Sequence, residues 1–95
     1  MPENVDDQFY NRADGHIRLS NQQVPLFGPR PTTESMIYGA ARFAVWYVTT
    51  NTATSAELEA KSAAEIERYT QMFKSMMEEN MQDHINRFET LKGLK

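Results

Sequence analysis

Arg42 is the residue whose setting most invites a chemical explanation, since it stands between Ala41 and Phe43 in the most apolar stretch of the chain. A guanidinium among apolar side chains must be paired or must reach water at an edge, because an unpaired buried charge is very costly. Its best candidate partners are Asp14 and Asp7, with Glu34 and Glu65 as further choices. An ion pair that sets helix register explains such an arginine better than ligand binding does. If Arg42 does bind a ligand, Asp14, Tyr10, Tyr38 and Trp46 are the residues that would line a small polar pocket with it.

Other chemistries find few carriers. His16 and His84 are the two histidines, and neither has a carboxylate at the spacing of a helical carboxylate–histidine metal motif. Glu79 and Asp83 lie one turn apart, but His84 follows Asp83 directly and points elsewhere, so no metal site is assigned. There is no Gly-x-Ser-x-Gly turn for a serine nucleophile and no glycine-rich loop followed by Lys-Ser/Thr to cradle phosphate. Cysteine is absent, which removes disulfides, thiolate catalysis and cysteine-based zinc sites. The net charge of −3, with acids and bases interspersed, leaves no basic footprint for nucleic acid or an anionic membrane. No catalytic residue and no cofactor is therefore assigned.

The elements that must position these residues read as helices. Four glycines and four prolines in 95 residues are few breakers, and no stretch alternates like a strand. A first helix is expected at about 5–21, capped by Asn4, with Asp6 and Asp7 in its first turn and Val5, Phe9, Ala13 and Ile17 on one face. A loop follows at 22–31, where Pro25, Gly28, Pro29 and Pro31 oppose regular structure and Val24, Leu26 and Phe27 plug one end of a small bundle. Thr32 or Thr33 then caps a second helix at about 33–50 with Glu34 in its first turn. It is apolar nearly all round, so it should be central and mostly buried. Gly39-Ala40-Ala41 on it reads as a close helix crossing.

A capping box, Thr54-Ser55-Ala56-Glu57, opens a third helix at about 55–91. Leu58, Ile66, Tyr69, Phe73, Met77, Met81, Ile85 and Phe88 recur every three or four residues along it. Opposite charges stand four apart at Glu57/Lys61, Lys61/Glu65, Lys74/Glu78 and Asp83/Arg87. At about 1.5 Å per residue such a helix overshoots a compact body of this size. Either it bends or splits near Ser62 or Glu79-Asn80 and folds back as a fourth helix, or it stays straight. A straight helix would bury Met76, Met77, Met81, Ile85, Phe88 and Leu91 against another subunit, and the absence of turn-like residues between 75 and 90 favours this outcome. A C2 homodimer is the simplest closed assembly.

Three blocks of the chain carry a resemblance. Asn4-Val5-Asp6-Asp7-Gln8-Phe9-Tyr10-Asn11-Arg12-Ala13-Asp14 with Ile17 and Leu19-Ser20-Asn21 is the most specific, followed by Met36-Ile37-Tyr38-Gly39-Ala40-Ala41-Arg42-Phe43 and Met77-Glu78-Glu79-Asn80-Met81. Together they resemble a family of small bacterial proteins catalogued as the domain of unknown function 3144 family, over most of the chain from about Asn4 to Phe88. The resemblance implies a bacterial origin and a compact helical protein, and brings no activity, cofactor or catalytic residue with it. Gly15 and the proline-rich segment depart from the family's pattern.

The expectation is a single all-α domain, a three-helix bundle with a long C-terminal helix. Met36 to Val48, the most apolar run, holds 13 residues including Arg42, short of the ~20 needed to span a membrane. The acidic start lacks the features of a signal peptide, which makes the cytoplasm the default location. The leading function is a non-enzymatic interaction or adaptor protein that binds a second copy or a partner helix. The alternative is a ligand-binding protein or enzyme built around Arg42.

Overall fold

The computed structural model describes residues 5–93. The protein is all-α: no strand occurs among the described residues, and four helices follow in order, α1 (Phe9–Phe27), α2 (Pro29–Thr50), α3 (Ser55–Asn86) and α4 (Phe88–Leu91). Two structural units divide it, 5–53 and 54–93 among the described residues.

Asp6 organises the entry to α1 from outside the helix. Its carboxylate accepts the backbone N–H of Gln8 at 2.8 Å and both guanidinium nitrogens of Arg12 at 2.8 and 3.1 Å. A short acidic side chain that takes a nearby N–H competes with the helical backbone, so Asp6 and Asp7 precede the helix rather than occupy its first turn. Asn4, the expected cap, lies outside the described residues. Gly15 sits within the helix.

The expected loop at 22–31 is replaced by a turn at Gly28. Helix α1 continues to Phe27 with Pro25 inside it, and α2 starts at Pro29. Gly28 takes φ 93°, a conformation that glycine adopts without the Cβ clash of other residues, and its N–H closes on the Val24 carbonyl at 2.8 Å. Pro29 and Pro31 then fall in the first turn of α2, where backbone N–H groups have no helical partner and proline's missing donor is harmless. The same residues that oppose a helix interior therefore suit a helix start. Gly28 caps α2 in place of Thr32 or Thr33, and the Thr33 hydroxyl instead donates to the Pro29 carbonyl at 2.8 Å.

Helices α1 and α2 pack on each other, and the Ser20 hydroxyl reaches the Met36 sulfur at 3.5 Å. Thr32 is buried, while Phe9, Ala13, Val24, Ala44 and Val48 are partly covered. The expected central, mostly buried second helix does not form: Tyr38, Phe43, Val45, Trp46 and Tyr47 are exposed. One neighbouring helix covers one face, and α2 carries apolar side chains on several. Nor do Leu26 and Phe27 plug a bundle end, since both are exposed. A Cβ built at Gly39 meets nothing within 4 Å, so no helix crosses closely there.

In the second unit, the Thr54 side chain accepts the Glu57 backbone N–H at 3.1 Å, and α3 runs 32 residues from that cap. It is continuous through Ser62 and Glu79-Asn80. The interruption comes at Arg87 (φ −115°, ψ 25°), and only the four-residue α4 follows. The expected charge pairs Lys74–Glu78 and Asp83–Arg87 are formed, at 3.8 and 2.9 Å, and Glu65 pairs with Arg68 at 3.2 Å.

Candidate functional site

Along α3 and α4 the apolar residues stay out of the helix's own shelter. Ile66, Phe73, Met77, Met81, Ile85, Phe88 and Leu91 are all exposed, Ile66 at 64% and Ile85 at 60%. Met76 and Tyr69 are partly covered, the latter with the Arg68 guanidinium 4.5 Å from its ring centre. No residue of α3 is buried. Of the six side chains expected at an interface, Met76, Met77, Met81 and Ile85 lie on α3, while Phe88 and Leu91 begin and end α4. The three-or-four spacing that marks the seam in the sequence also selects Ile66, Tyr69 and Phe73, so the stripe starts about three turns earlier than residue 76.

Charged residues border the stripe. Lys74 and Glu78 lie on one side of it; on the other, Asp83 accepts both guanidinium nitrogens of Arg87 at 2.9 and 3.1 Å. The Arg87 hydrogen bond holds the Asp83 carboxyl below its ordinary range. Asp6 is lowered in the same way, first by Arg12 and then by the Gln8 N–H. These pairs are solvated, and exposed pairs of this kind contribute little beyond local order.

The residues proposed around Arg42 fall in the first unit. Arg42 is exposed and makes no hydrogen bond or ion pair among the described residues, so its charge is met by water. Asp14 and Tyr38 are exposed too and equally without a polar partner among those residues. Two of the other acids considered for Arg42 are engaged elsewhere, Glu34 by Arg30 at 3.1 Å and Glu65 by Arg68. Tyr10 packs edge-on against Phe9, with ring centres 5.0 Å apart, and Trp46 lies against Phe43 at 5.1 Å.

A cleft that the residue pattern did not announce lies instead at the Gly28 turn. It encloses about 330 Å³ and is lined by Gln23, Phe27, Pro31, Thr32 and Ser35. The Thr32 hydroxyl is buried there without a hydrogen-bond partner, at 4% residue exposure. The cleft depends on the turn folding α1 against α2, which no local spacing reveals. No group of three His, Asp or Glu that would hold a metal ion occurs among the described residues. No helix among them is long and apolar enough to cross a membrane.

Comparison with known families bears on the resemblance carried by the three sequence blocks. A family model described as "Protein of unknown function (DUF3144)" matches residues 9–85. The chain belongs to this family. The match takes in α1, α2 and nearly all of α3. No curated protein and no solved structure matches the chain.

Proposed function

We propose that this protein is a non-enzymatic helical interaction protein, an adaptor that associates with a second copy of itself through its C-terminal helix. One observation carries the reading: α3 is 32 residues long, contains no buried residue, and exposes Ile66, Phe73, Met77, Met81 and Ile85. Helices owe most of their stability in water to packing of an apolar face rather than to propensity. Contiguous apolar patches of this kind on soluble chains mark interaction sites. The charged flanks keep such a helix soluble while the stripe supplies the association energy.

Mass measurement in solution tests this. A dimer at micromolar concentration is expected, and Met81→Asp should convert it to monomer, because a carboxylate in the seam would be desolvated without a partner. A monomeric wild-type chain at those concentrations, together with a Met81→Asp variant of unchanged stability, would overturn the proposal.

A further inference from the structure

The stripe on α3 has an internal symmetry that specifies how two copies would meet. Its members Ile66, Tyr69, Phe73, Met77, Met81 and Ile85, continued by Phe88 at the start of α4, are separated by steps of 3, 4, 4, 4, 4 and 3 residues. The series reads the same in both directions from Met77. A two-fold axis through Met77, with helices antiparallel, therefore sets Phe73 against Met81, Tyr69 against Ile85 and Ile66 against Phe88. Each of these seven residues then meets an apolar residue, while Met76 on the flank faces Glu78.

The hydrophobic pattern alone also allows a parallel pair, in which each residue meets its own copy. The flanks and the helix dipoles together favour the antiparallel order. In the antiparallel order each flank faces the same flank of the other copy. Lys74 then lies within about one residue-pair of register of Glu78 on the second helix, and Glu65 lies likewise beside Arg87. Each of these opposite-charge pairs occurs twice by symmetry. Two like pairs oppose them, Glu67 with Glu89, which lies beyond the break at Arg87, and Glu78 with its own copy across the axis. In the parallel order Glu65 beside Glu67 is offset by Arg87 beside Glu89, so the flanks give no net attraction, and the helix dipoles align unfavourably. The intrahelical bonds of Lys74 and Arg87 are exposed and weak enough to be shared or exchanged.

We infer that the α3 stripe docks a second copy of the same chain as an antiparallel pair, with its two-fold axis at Met77. The six steps cover 22 residues, about 3.67 per step, which is the 11-residue period of straight to slightly right-handed pairing rather than a left-handed heptad coil. This inference rests on the self-association reading and adds its orientation and register.

Because the chain has no cysteine, single cysteines report the arrangement in the full-length protein. Met77→Cys should cross-link to itself on mild oxidation. Ile66→Cys should not, since two copies of residue 66 would be separated by roughly 33 Å along the axis, but should cross-link when mixed with Phe88→Cys. A spin label at exposed Ala64, on the side of α3 away from the stripe, leaves the seam untouched. Its pair distance should be on the order of 40 Å when antiparallel; a parallel pair, set by the spacing of packed helices, gives roughly 20 Å. A dimer whose Ile66→Cys variant links to itself, or whose Ala64 labels lie at the short distance, would overturn the antiparallel order alone. A monomer would remove the self-association reading beneath it.

Discussion

Thr32 is the one buried polar side chain among the described residues, and its hydroxyl has no partner. A buried group left without a hydrogen bond destabilises by about 1–3 kcal/mol, whereas an apolar group of the same shape does not. Thr32→Val should therefore raise stability by ~1 kcal/mol, read as an increase in thermal midpoint; a decrease would show that the hydroxyl is satisfied in solution. Asp83 gives a pH signature. Its folded value lies below the unfolded ~3.9 because Arg87 hydrogen-bonds the charged form. The stabilisation is thus present above the unfolded value and is lost as pH falls through the folded one. A carboxyl NMR titration should place the Asp83 midpoint below the ordinary aspartate range and return helical signal loss at the end of α3 over the same acid interval. In Asp83→Asn that component of the acid transition should be absent. The chemistry suggested around Arg42 was legible only as residue types. Whether a guanidinium among apolar neighbours is buried depends on what packs over it, and here water does.

At the scale of elements, caps and turns decide more than propensity. The Thr54 cap of α3 was readable because a capping box is a purely local pattern, and the structure forms its Thr54–Glu57 hydrogen bond. Thr54→Ala should reduce stability by ~1 kcal/mol and fray the start of α3, seen as faster amide exchange at Ala56 to Leu58. Unchanged exchange there would mean that packing rather than the cap holds the start. The proline-rich segment reads as a loop, and folds as a turn and a helix start, for an equally physical reason. Proline opposes a helix interior but suits its first turn, so the meaning of Pro29 and Pro31 depends on whether Gly28 turns the chain just before them. The break at Arg87, in place of Ser62 or Asn80, had no marker in glycine or proline.

For the molecule as a whole, the distribution of apolar surface is the central fact. No hydrophobic side chain among the described residues is fully buried, while Ile66, Phe73, Met81 and Ile85 on α3 and Phe43 and Trp46 on α2 are exposed. Folding of a chain that associates through such surfaces is linked to concentration by mass action. The thermal midpoint of the wild type should rise as protein concentration is increased a hundredfold, and that of Met81→Asp should not. A midpoint independent of concentration in both would argue that the stripe stays open to water.

Residue order by itself determined the helical class, the end of the second helix at Thr50, the cap at Thr54, the family and the apolar stripe, because all of these rest on spacings of three or four residues or on local blocks. Tertiary structure decided the one-residue turn at Gly28, the extension of α1 past Asn21, the solvation of Arg42 and the exposure of α2. These turn on which surfaces meet, and the free energy of burying a side chain is set by its neighbours in space, which sequence spacing alone does not specify.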